Sequence, residues 1–166
     1  NVFIEHNYGF LAIDYKGYGK SEGQSSIESL VDDAETAIRY LIKNFPDKKV
    51  ILWGNSLGTI PAIQIGAKYN TIEIILEATI SNIHNMEYPL EELFSKGNNI
   101  VDLHIMDDGS FDNITSIQVL KNPILMIHGD NDQLANFQKA QSMFSAIPSK
   151  NKYFFIVSGE GHNYTS

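Results

Sequence analysis

Short apolar runs recur along this chain, and most are followed by a turn and then a helical pattern. Residues 10–15, 50–53, 72–77, 124–128 and 153–157 read as strands. Near-continuous apolar strands separated by helices predict a mostly parallel sheet of at least five strands, covered on both faces, in a three-layer α/β fold. In such a sheet the strand C-termini share one edge, and functional side chains gather there.

The intervening segments fit helices. Ile27, Leu30, Val31, Ala34, Ile38, Leu41 and Phe45 recur at three and four residues and form one apolar face. Ser25-x-x-Glu28 has the spacing of a capping box, and Pro46 closes the segment. A second helix is expected from Gly58 to about Tyr69, and a third around Phe137, Ala140 and Phe144, stopped by Pro148. Residues 81–122 break the rhythm with Pro89, Gly97-Asn98-Asn99 and Asp107-Asp108-Gly109. The organisation expected is one domain, residues 1–166, with a lid-like insertion at about 81–122; a plain surface excursion is the other reading.

Composition removes several function classes. The 166 residues carry a formal charge of −8 and no basic cluster, which argues against a nucleic-acid partner. With no cysteine, a thiol nucleophile, a disulfide frame and a thiolate metal site are excluded. No apolar run is long enough to span a bilayer, and no signal peptide is evident, so a cytoplasmic protein is the expectation.

The sharpest motif is Gly54-Asn55-Ser56-Leu57-Gly58, a G-x-S-x-G set between a strand and a helix. That context holds a serine on a strained turn with its hydroxyl exposed. The turn is expected to be so tight that side chains at both glycines would collide. The Leu57 amide, at a helix N-terminus, is a candidate donor to an oxyanion.

A serine nucleophile needs a base. Of the five histidines, His162 lies just after the last strand, where it can reach Ser56. His128 ends a strand and is expected to pack or hydrogen-bond locally. His84 and His104 fall in the insertion. His104 with Asp107 and Asp108 lacks a partner cluster for a metal. The base in turn needs an orienting acid. Asp132 is the first choice, Asp130 the rival two residues away, and Glu77 a distant third. Gly17-x-Gly19-Lys20-Ser21 lacks the further glycine that a phosphate-binding loop or a dinucleotide turn requires, so a structural turn is expected.

These segments together resemble α/β hydrolases. Asp14-Tyr15-Lys16-Gly17-Tyr18-Gly19-Lys20-Ser21-Glu22-Gly23 is similar to the D-Y-R-G-Y-G-x-S-x-G turn of that superfamily. Gly54 through Pro61 resembles the G-x-S-[IL]-G-T-V-P elbow of the α/β-hydrolase-domain group that includes depalmitoylating thioesterases. Residues 111–114, 123–132 and 159–163 fit the same group. The resemblance implies a triad of Ser56, Asp132 and His162, two-step acyl transfer, and no cofactor or metal. It also implies three further N-terminal strands, a His-Gly loop carrying a second oxyanion donor, a strand between residues 10–15 and 50–53, and a C-terminal helix. This chain has none of them, so a partial fold truncated at both ends is expected, with self-association through an open sheet edge.

The expected function is hydrolysis of a carboxylic ester or thioester through an acyl-enzyme on Ser56, acting on a small-molecule or lipid-like acyl substrate. Ile80, Met86, Leu90, Phe94 and Met106 hint at an acyl group. A catalytically impaired fragment or binding module of the same fold, and a serine peptidase, are the alternatives.

Overall fold

The computed structural model describes residues 2–82 and 112–163. Four parallel strands form one sheet in the order β1 (Ile51–Asn55), β2 (Glu73–Glu77), β3 (Ile124–Gly129) and β4 (Lys152–Val157). The register sets Asn55 beside Glu77, Glu77 beside Ile127, and Gly129 beside Val157. The strand C-termini therefore meet at one rim.

Alternation along each strand sorts the side chains between two faces. Ile74, Leu76, Ile124 and Met126 face a helical layer of α2 (Ile27–Asn44), α3 (Thr59–Lys68) and α5 (Phe137–Ala146). Val31, Ala34 and Ile38 of α2, Ala62, Ile63 and Ile65 of α3, and Ala140 and Met143 of α5 complete the core. The other face carries the register row Trp53, Ile75, Leu125 and Tyr153. There the single turn α1 (Val2–Glu5) sets Phe3 edge-on to Trp53, with ring centroids 5.9 Å apart. The second helical layer is thin among the described residues, and Trp53, Tyr153 and Phe155 remain exposed.

Residues 10–15 correct the sequence reading. They join no strand pairing, so the described sheet has four strands and not five. A strand persists by hydrogen-bonding a neighbour, and the outer edge of β1 has no paired strand among the described residues. Phe10 stacks on Phe3 at 5.6 Å instead, and Phe10, Leu11 and Ile13 stay exposed. The glycine turn that follows is structural. Asp14 accepts from the Lys20 amide at 3.1 Å, and its carbonyl accepts from the Ser21 hydroxyl at 2.7 Å.

The α2 cap lies one residue later than expected. Ser26 accepts from the Ser29 amide at 3.1 Å, and the Ser29 hydroxyl oxygen accepts from the Ser26 amide at 2.9 Å. Ser25 is buried, and starting one residue later turns Ile27, Leu30 and Val31 into the core.

Most of the expected insertion, with His84, Met86, Leu90, Phe94, His104, Met106, Asp107 and Asp108, lies outside the described residues. Both its stems are packed. Ile80 is buried, and α4 (Asn113–Ser116) runs into a 3₁₀ turn that buries Ile117 and Leu120 in the core. The Asn113 side-chain amide ties the stems together by donating to the Ile80 carbonyl at 2.8 Å.

Candidate active site

The elbow follows from one crowded glycine and one strained serine. A Cβ on Gly54 would strike the Gly58 carbonyl oxygen and come within 2.8 Å of the Ala62 Cβ, so only glycine lets α3 fold back onto β1. Gly58 departs from the expected double collision. Its φ is −64°, and an added Cβ would come no nearer than 4.0 Å to the Tyr15 Oη. Ser56 itself has φ +50°, a conformation costing a non-glycine residue about 1–2 kcal/mol. The buried Thr59 hydroxyl steadies it by donating to the Ser56 carbonyl at 2.6 Å, while its oxygen accepts from the Ile80 amide at 3.2 Å.

His162 Nε2 lies 2.8 Å from Ser56 Oγ, and His162 Nδ1 lies 2.8 Å from Asp132 Oδ2. An ionised carboxylate only accepts, so the ring proton sits on Nδ1 and leaves the Nε2 lone pair for the serine hydroxyl. Asp132 is fully shielded. Its Oδ1 accepts from the amides of Leu134 at 2.9 Å and Ala135 at 2.8 Å. Burial pushes its pKa up. The His162 and Ala135 hydrogen bonds, with the electrostatic influence of the two neighbouring imidazoles of His162 and His128, outweigh that and hold it below the usual carboxylate value.

The three candidate acids separate cleanly. Asp132 faces His162. Asp130 instead holds the histidine loop, accepting from the Gly159 amide at 2.6 Å and the Ser158 hydroxyl at 3.2 Å. Glu77 accepts from the Trp53 indole at 2.9 Å. The loop passes directly over the end of β3, where a Cβ on Gly129 would collide with the Glu160 and Gly161 carbonyl oxygens. The Asn131 amide donates to Glu160 at 3.0 Å and fixes the crossing. Sequence reasoning missed Gly129, Thr59 and the anchoring role of Asp130. The close Gly129 approach had a visible signal, a glycine between strand and acid.

Leu57 sits in the 3₁₀ turn Ser56–Gly58 that runs into α3. Amides in such a first turn lack intrahelical acceptors. His128 is completely buried and bonded on both ring nitrogens, in line with local packing. Among the described residues no cluster of three or more His, Asp or Glu could hold a metal ion. No helix among them is long and apolar enough to cross a membrane.

Comparison with known proteins agrees with this architecture. A family model described as serine aminopeptidase, S33, matches residues 1–106. Alpha/beta hydrolase domain-containing protein 17B of Homo sapiens is 28% identical over 162 residues, covering 95% of this chain and 51% of its own length. The 17C protein of Mus musculus is 26% identical over 159 residues, covering 95% and 46%. The chain thus spans about half the length of the curated relatives it matches. An esterase of Pyrococcus furiosus superposes with TM-score 0.76 at 18% identity, over 98% of this chain and 66% of its own. An alpha-beta serine hydrolase homologue from Coxiella burnetii gives 0.61 at 19% identity, over 89% and 58%. At these identities the structural likeness shows the fold alone.

Proposed function

Because this chain belongs to the serine aminopeptidase S33 family of the α/β-hydrolase superfamily, we propose that it is a serine hydrolase cleaving a carboxylic ester or thioester through an acyl-enzyme on Ser56. The observation that carries this reading is the unbroken relay from Ser56 Oγ to His162 to Asp132, with both contacts at 2.8 Å.

In the proposed reaction Ser56 Oγ attacks the acyl carbon as its proton passes to His162 Nε2. Asp132 keeps the imidazole in the right tautomer and offsets the imidazolium charge. The Leu57 amide donates to the developing oxyanion. Collapse of the tetrahedral species breaks the acyl bond, and the Nε2 proton goes to the leaving alcohol or thiol. Water then gives its proton to His162 and attacks the acyl carbon, releasing the acid and restoring Ser56.

A lipid-like acyl substrate belongs to the same proposal. The esterase and lipase functions named for structural neighbours support an ester class. The family description itself favours a second reading, a serine peptidase. A fluorophosphonate probe tests the nucleophile: it is expected to label the wild type and to spare Ser56→Ala. A folded wild type that stays unlabelled would leave a binding module of the same fold. Short acyl esters and thioesters compared with aminoacyl amides separate the two enzyme readings, and turnover of the amide alone would overturn the esterase assignment.

A further inference from the structure

We infer that His128 is a positioning residue of the proposed triad: its buried Nε2–H, clamped to the Ala135 carbonyl and facing Asp132, fixes the acid that orients His162. The inference rests on the serine-hydrolase reading above.

Both ring nitrogens of His128 are committed. Nδ1 lies 3.2 Å from the Thr79 amide nitrogen, which can only donate. Nδ1 is therefore the acceptor, and the ring is neutral with its proton on Nε2. That N–H donates to the Ala135 carbonyl at 2.7 Å. Ala135 is thus held at both ends of its backbone, its carbonyl by His128 and its amide by Asp132 Oδ1. The result is a chain of two hydrogen bonds running from His128 through Ala135 to Asp132. It leaves the Asp132 carboxylate one orientation, with Oδ2 toward His162 Nδ1.

His128 Nε2 also lies 3.4 Å from that same Oδ2. This is too long for a full hydrogen bond, so its effect is electrostatic. Both side chains are completely shielded, and a polar N–H counts for more there than in water. Asp132 and His162 are the ionisable groups that act on the ring, and Phe137 of α5 packs beside it with centroids 6.1 Å apart. Burial holds the His128 pKa below the ordinary histidine value. The Ala135 carbonyl and Asp132 pull it up, and His162 pushes it further down. Protonation would turn an Nδ1–H against the Thr79 N–H, so the clamp requires the neutral ring.

A residue that only filled space would need shape alone. His128 instead links the chain after β2, through Thr79, to the loop after β3 that carries the acid. It thereby couples two neighbouring strand ends beneath the relay.

The test compares His128→Leu, which keeps bulk and loses both polar contacts, with His128→Gln, which retains an amide donor. Fluorophosphonate labelling of Ser56 is expected to slow by about ten- to a hundredfold in His128→Leu. The KM for a short ester should stay unchanged, and His128→Gln should recover most of the labelling rate. Near-UV circular dichroism and melting establish that each variant is folded at the assay temperature. Wild-type labelling in folded His128→Leu overturns the inference, as does equal loss in both variants that tracks melting alone. If His128→Leu does not fold, ¹⁵N-histidine NMR of the wild type decides. The Nε2–H tautomer should persist as pH falls through the ordinary histidine value of about 6.5. An Nδ1–H tautomer, or ordinary titration near the free-histidine value, overturns the inference. A wild type that resists labelling with the Nε2–H tautomer intact would overturn the hydrolase reading, and the positioning role with it.

Discussion

The Ser56 hydroxyl and the His162 ring meet at 2.8 Å across 106 residues of sequence, from strands at opposite edges of the described sheet. Three strand spacings separate β1 from β4, about 14 Å in all. The five residues after Val157 span at most about 17 Å when extended, so the loop has little slack and must cross β3 directly. Gly129 makes the crossing passable, and Asp130 and Asn131 pin it.

This arrangement predicts different fates for two aspartates only two residues apart. Asp132→Asn should lower kcat by about 10⁴-fold with little change in folding, because the amide would favour the wrong imidazole tautomer. Asp130→Asn keeps an acceptor for the Gly159 amide and should cost less than about tenfold by the same measure. Steady-state kinetics on one ester decides, and the reverse ranking would move the acid to Asp130.

Stability should fall with acid in two windows. His128 has a depressed folded pKa, so below the ordinary histidine value of about 6.5 the unfolded chain takes up a proton that the folded chain refuses. Asp132 is also depressed when folded. Its contribution is present above the unfolded aspartate value of about 3.9 and is lost as pH falls from there toward the folded value. Denaturant midpoints measured against pH should decline in both windows, with the upper slope absent in His128→Gln. A midpoint that stayed flat from neutral pH to the lower window would contradict the buried neutral ring.

The two elbow glycines should respond oppositely to one methyl. Gly54→Ala drives a Cβ into the Gly58 carbonyl and Ala62, for a loss of about 1–3 kcal/mol. Gly58→Ala meets open space at an ordinary helical φ and should gain up to about 1 kcal/mol by restricting the unfolded chain. Urea titration of both variants measures this, and equal destabilisation would mean that the turn is tight at both ends after all.

Thr59→Val keeps the shape of the side chain and removes the hydroxyl that joins the Ser56 carbonyl to the Ile80 amide. The buried Ile80 amide and the part-buried Ser56 carbonyl both lose a partner, so about 1–3 kcal/mol of stability should go. Labelling of Ser56 should also slow, since its φ of +50° loses a support. Stability loss with an unchanged labelling rate would show that the elbow holds itself.

The sequence made the site legible where chemistry follows strand order. Strand–helix alternation sends every strand C-terminus to one rim, so Ser56 and His162 pair on sequence alone. Asp130 and Asp132 are less easily separated in the sequence, because both fit the same loop and the path over Gly129 orients them. Residues 10–15 carry a strand's composition, but pairing depends on a distant neighbour that local pattern does not report. The α2 cap slipped by one because adjacent serines offer nearly equal caps, and burial of Ile27 chose between them.

The crossing at Gly129 carries a wider lesson for this fold. A chain could retain its serine, aspartate and histidine and still be inert, if a side chain at that one position lifted the last loop away. Whether such an enzyme works is then decided at a residue with no functional group, so an inventory of reactive letters is a poor guide to which relatives are alive.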